Sequence, residues 1–162
     1  MARKFKMTKT HIILILVAVI GAYYLFLGNG SKQNTATLTD NWINAVTVKH
    51  DPAYIASLFC SDGNLVGTVS QTIRKDDAIK QYFNYFAKLP GIKVLKREYD
   101  IQKVSNNVYL NTAFITWTWD DLDEPIVARM TFIFRGNCIF QLHSSALPDL
   151  NKSLKNTPYI LN

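Results

Sequence analysis

The sequence is poor in the residues that build the commonest reactive centres. It holds three histidines and two cysteines in 162 residues. Only His50 and His143 lie outside the apolar amino-terminal run, so one chain cannot gather three histidines around a catalytic zinc ion. Cys60 and Cys138 have no metal-binding spacing, and the sequence leaves open whether they pair or stay as buried thiols. There is no G-x-S-x-G elbow, no Walker loop and no dinucleotide fingerprint. The acidic run Asp120-Asp121-Leu122-Asp123-Glu124 lacks the glycine and terminal glutamate of a calcium loop and reads as a solvated hairpin tip. Neither a metal nor a cofactor is expected.

Acids are missing from one end of the chain. Four of the 18 bases (Arg3, Lys4, Lys6, Lys9) and none of the 12 acids fall in residues 1–31, leaving 14 bases against 12 acids in the rest. That near balance argues against nucleic acid as a partner, because such domains carry dense basic patches. Charge then disappears altogether between Lys9 and Lys32, in THIILILVAVIGAYYLFLGNGS. Residues 10–31 are long enough to cross a bilayer, which takes roughly 20 residues in a helix. The preceding bases orient the amino terminus to the cytoplasm, and Tyr23-Tyr24 suit an interface. The same features fit a signal peptide, but no A-x-A site follows, and the run is long for an h-region. An uncleaved single-pass anchor with an extracytoplasmic domain is therefore expected; cleavage would leave the same domain secreted.

The remainder divides into a polar linker over 32–38, a domain over 39–149 and a tail over 150–162. In the domain, Thr39 or Asp40 can cap a helix carrying Trp42, Ile43 and Val46. Asp51-Pro52 opens a second short helix, and Asp62-Gly63 reads as a turn before a strand over 65–70. A third helix over 75–88 presents Ile79, Tyr82, Phe83 and Phe86 on one face. Four strands follow, over 94–104, 108–119, 126–134 and 138–145, joined by short turns that imply antiparallel pairing. The fold class is α+β: three helices on a curved antiparallel sheet, a cone with an apolar pocket.

This order of elements resembles the nuclear transport factor 2-like, or SnoaL-like, fold. More narrowly, LVGTVSQTIR, AIKQYFNYFAKLPG, ARMTFIF and HSSALP are similar to bacterial domains related to the calcium/calmodulin-dependent protein kinase II association domain. The resemblance implies oligomers built through an exposed sheet face. It includes iota-class carbonic anhydrases, which hydrate carbon dioxide and can do so without metal. The resemblance then implies catalytic roles for Thr68, Tyr82, His143 and Ser145; Ser144, Gln141 and Arg129 are, from the residues themselves, candidate substrate contacts. The family's usual His-His-Ser-Ser has Leu142 as its first residue here.

Along the last strand, Gln141, His143 and Ser145 share one face and Phe140, Leu142 and Ser144 the other. We expect the first, polar row to line the pocket and Phe140 and Leu142 to face a second subunit. On the residues alone, the His-Ser pair serves equally well as a satisfied structural contact. Arg129 would either draw in an anion or pair with a carboxylate. Two functions follow. A pocket lined by hydroxyls and open to water favours a metal-independent hydratase. A pocket plugged by Trp117, Trp119 or Tyr109 favours a non-catalytic module that assembles or binds a small ligand.

Overall fold

The structure, a computed structural model, describes residues 34–68 and 72–146. The expected membrane segment over 10–31 and the tail over 150–162 lie outside them. Among the described residues no helix is long and apolar enough to cross a membrane.

Helix α1 covers 34–44 and passes into a π-helical turn, Ala45–Lys49. The expected linker is therefore helical from residue 34. The reason lies in Thr35 and Thr39, which are buried about two turns and one turn before Trp42, with the Thr39 hydroxyl donating to the Thr35 carbonyl at 3.1 Å. A threonine that satisfies itself on the preceding turn is no N-cap. His50 closes the helix in the left-handed region, φ 49°. Its ring Nδ1 lies 2.7 Å from the Ala87 carbonyl, so Nδ1 carries the hydrogen and ties α1 to the end of α3.

Asp51 caps α2 (Pro52–Ser57), accepting from the backbone N–H groups of Ala53 and Tyr54 at 3.0 Å each, and Pro52 fills a first-turn position that needs no donor. Helix α3 (Asp77–Phe86) has Asp77 in its first turn, where a carboxylate suits the helix dipole.

Six strands form one curved sheet: β1 (Phe59–Val66), β2 (Ile73–Arg74), β3 (Lys93–Ser105), β4 (Val108–Thr118), β5 (Ile126–Arg135) and β6 (Cys138–Ala146). Their order is β2-β1-β6-β5-β4-β3. Strands β3 to β6 are antiparallel neighbours, as their short turns require. The sheet is nevertheless mixed, because β1 runs parallel to β6. No turn joins those two, so no local loop fixes their relative direction. Asp62-Gly63 is not a turn but the middle of β1. A Cβ on Gly63 would come 2.8 Å from the Ile139 carbonyl oxygen, so glycine lets the two strands meet there.

Cys60 and Cys138 form a disulfide between β1 and β6, with Cα atoms 5.0 Å apart and a sequence separation of 78. Beside it Arg135 pairs with Asp62 and holds its carboxyl below the usual range through that hydrogen bond.

The core fills the space between the helices and the concave face. Trp42 sits at its centre, edge-on to Phe83, Trp117 and Phe132. Rings at such angles pack their edges on neighbouring faces, the preferred arrangement for aromatic pairs.

Candidate functional site

Toward one end of the cone the core opens into a cavity of about 270 Å³. Such a volume falls just below the roughly 300–1,000 Å³ of drug-sized sites. Its walls are Trp42 from α1, Leu65 from β1, one face of α3, and the inward residues of β4, β5 and β6.

The polar part is small and converges. Thr68, just past β1, places its Oγ1 2.7 Å from the Oγ of Ser144 on β6. Tyr82 on α3 joins them. A Cβ on Gly67 would come 2.6 Å from two carbons of the Tyr82 ring, so only glycine there lets the phenol lie against the end of β1. Burial pushes the Tyr82 phenol above its ordinary value. The Arg74 guanidinium, 4.8 Å from the ring centroid, and the Thr68 backbone N–H at the phenol oxygen act the other way. Among the described residues of the lining, Tyr82 and Tyr85 are the only titratable side chains, with no carboxylate, imidazole, ammonium or guanidinium.

Three of the seven expected site residues meet here: Thr68, Tyr82 and Ser144. The other four do not. His143 and Arg129 are exposed, and Gln141 and Ser145 half-buried, on the opposite face of the sheet. There Arg129 stands between Phe114 and Ser145, and His143 between Thr131 and Val66. The expected alternation along β6 holds, but its two rows are exchanged. The inward row is set by β5, where Ala128, Met130, Phe132 and Phe134 are all buried; Ser144 is in register with Met130 and Leu142 with Phe132. Phe140 is the extra residue of a bulge opposite Ile133 and Phe134, which lets Ile139 and Leu142 both point inward. Phe140 itself lies half-buried under the Arg135 guanidinium, 4.5 Å from its ring centroid. His143 is therefore not part of this cavity's wall.

Trp117 and Trp119 line the cavity without closing it, while Tyr109 is buried elsewhere. Trp42, Leu65, Phe83, Phe86 and Met130 also belong to the wall and were legible only as core. Among the described residues, no three His, Cys, Asp or Glu side chains come together as a metal site.

No family model and no curated protein matches the sequence. Solved structures do. A protein described as a calcium/calmodulin-dependent protein kinase II association domain from Xanthomonas campestris is 27% identical, with TM-score 0.59 over 71% of this chain and 86% of that one. A protein described as a dehydratase of the nuclear transport factor 2-like family, from Streptomyces avermitilis, gives TM-score 0.65 at 11% identity, over 74% and 98%. A protein described as a ketosteroid isomerase, from Parabacteroides distasonis, gives 0.53 at 16%, over 72% and 87%. The chain has the nuclear transport factor 2-like, SnoaL-like fold that its sequence resemblance implies.

Proposed function

We propose that this chain is a membrane-held, extracytoplasmic domain that binds a small, neutral, mostly apolar molecule in its cavity. The observation that carries this is the Thr68–Ser144 hydroxyl pair at the edge of a space otherwise walled by rings and aliphatic groups. One hydroxyl donates to the other, and the acceptor keeps its own hydrogen for a third partner. The Tyr82 phenol, which lines the same cavity, has a hydrogen of its own to give. A carbonyl or hydroxyl on the ligand completes the set. A carboxylate or ammonium would lose its water and meet no opposite charge among the described residues of the wall.

Support for the location comes from the uncharged run over 10–31 and from the Cys60–Cys138 bridge, a bond that persists in oxidising compartments. Resistance of the chain to carbonate extraction and a thiol-blocking gel shift on cells test both. Support for self-association comes from the outer sheet face, where Phe114 and Val127 are exposed beside half-buried Leu110 and Ile133. Sheet-to-sheet packing of two copies covers that face, and Phe114→Glu should separate them in light scattering.

Binding is tested with the full chain in lipid nanodiscs. Benzyl alcohol should bind, benzoate should not, and Thr68→Val with Ser144→Ala should weaken benzyl alcohol while sparing toluene. A folded protein that takes none of the neutral probes would sink the proposal.

A second reading, metal-independent hydration of carbon dioxide, is favoured by the same three hydroxyls. They would hold a water against an apolar-bound carbon dioxide; its oxygen bonds to the carbon, giving bicarbonate, and the proton leaves to solvent. Stopped-flow hydration by the chelator-treated protein decides it. A rate no greater than that of the Thr68→Val, Ser144→Ala variant removes this reading and leaves binding intact.

A further inference from the structure

Asn34, the first residue of α1, sits at the end of the cone remote from the cavity. Its amide donates to the Asn137 side-chain oxygen at 3.0 Å, in the turn between β5 and β6. The β3–β4 turn lies beside it, since the Gly136 N–H donates to the Asn107 carbonyl. The cavity lies at the other end of the same strands, where Thr68 follows β1, Trp119 follows β4 and Ile126 begins β5. Its exposed wall residues, Thr68 and Tyr85, mark the mouth. Strand β5 alone, ten residues from Ile126 to Arg135, sets the two ends about 30 Å apart.

Six residues, 28–33, separate Leu27, the last of the apolar run, from Asn34. Those seven Cα steps reach about 25 Å even when fully extended. A domain with its mouth against the bilayer needs a longer tether, about 30 Å for its own height and several more for the headgroup layer. Charge divides the same way. The β4–β5 loop beside the mouth carries Asp120, Asp121, Asp123 and Glu124 with no base. Residues 103–108 and 135–138, at the other end, carry Lys103 and Arg135 with no acid, and Arg135 pairs with Asp62. An anionic lipid surface repels the first end and attracts the second.

We propose that the domain rests on the lipid surface by the end that holds the β3–β4 and β5–β6 turns, with its cavity opening away from the bilayer. The ligand then arrives from water, and acyl chains of the surrounding membrane are excluded as occupants. This rests on the reading of residues 10–31 as an anchor and deepens it.

The test uses the full chain in vesicles of mixed neutral and anionic lipid. Both native cysteines are bridged, so one introduced cysteine is the only thiol open to a dye. Asn106→Cys and Asp121→Cys, at exposed positions of opposite ends, are each labelled, and energy transfer to a rhodamine lipid is measured. Transfer from position 106 should be at least about twice that from 121, given some 30 Å of height between them. The three tryptophans, 42, 117 and 119, all line the cavity and report without any substitution. Acrylamide dissolved in the water should quench them more than a lipid carrying a nitroxide on its acyl chain. Equal transfer from the two positions, or stronger quenching by the nitroxide lipid, in a chain that still floats with the vesicles overturns the orientation and leaves the anchor intact. A chain left behind when the vesicles float overturns both.

Discussion

Thr68 and Ser144 face each other, hydroxyl to hydroxyl at 2.7 Å, at the end of the parallel pair formed by β1 and β6. The contact places both at the cavity and leaves Ser145 on the outer face. Removing either hydroxyl should therefore weaken a hydroxyl-bearing probe by about fivefold, the effect of a hydrogen bond worth roughly 1 kcal/mol. Ser145→Ala and His143→Ala should leave its affinity unchanged. Calorimetric titration of the four variants with benzyl alcohol measures this. Sensitivity at Ser145 with indifference at Ser144 would reverse the assignment of faces.

Gly67 and Tyr82 give a second prediction. An alanine Cβ at position 67 would approach the Tyr82 ring to 2.6 Å, closer than real contacts allow. The ring, packed against Phe83 and Phe86, has little room to retreat. Gly67→Ala should cost about 1–3 kcal/mol, as overpacking does, and should displace the phenol from Thr68. In the Tyr82→Phe background the strain persists while the lost phenol contact no longer counts. Chemical denaturation of both singles and the double gives the coupling. A fully stable Gly67→Ala would show that the close approach is absent in solution.

Strands β3 to β6 were legible to within a residue or two because alternation and turn chemistry are local. The mixed sheet was not, since β1 and β6 are neighbours far apart in sequence and no local turn fixes their relative direction. The site was half legible for a related reason. Period-2 alternation correctly grouped Gln141, His143 and Ser145, but alternation does not say which row faces in. The buried row of β5 decides that, and it brings Leu142 and Ser144 inside. A preference for burying Leu142 over His143 would have given the right answer from residue chemistry alone. Thr35 misled for the opposite reason, because its polar surroundings signalled a linker where the helix buries it, and Thr39, expected as a cap, instead bonds back to the Thr35 carbonyl.

The Cys60–Cys138 bridge closes a loop of 78 residues that contains α3, β2 and strands β3 to β5. It joins β1 and β6 at the end remote from the Thr68–Ser144 contact, so it fixes the pair that presents both hydroxyls. A bridge across so long a loop is worth about 2–4 kcal/mol, chiefly by restricting the unfolded chain. Cys60→Ser with Cys138→Ser should lower the denaturation midpoint and steepen the slope, because the unfolded chain without the bridge exposes more surface. Probe affinity should survive at temperatures where the variant remains folded. A midpoint equal to that of the oxidised parent would mean that the bridge adds nothing.

Two buried phenols set the alkaline behaviour. Burial raises Tyr82, and burial together with a hydrogen bond to Asp40 at 2.7 Å raises Tyr99. Both folded values lie above the unfolded tyrosine value of about 10. A group whose folded pKa is raised contributes stability that is complete below the unfolded value and lost as pH climbs through the folded one. The fold should thus keep its stability from neutrality to pH about 10 and weaken above it, with Tyr82 still able to donate to a ligand across that whole range. Ultraviolet titration of phenolate checks this directly: a late-ionising component should lose one tyrosine in Tyr82→Phe and another in Tyr99→Phe. If Tyr82→Phe leaves that component intact, the phenol is solvated, and its place beside Thr68 in the cavity is wrong.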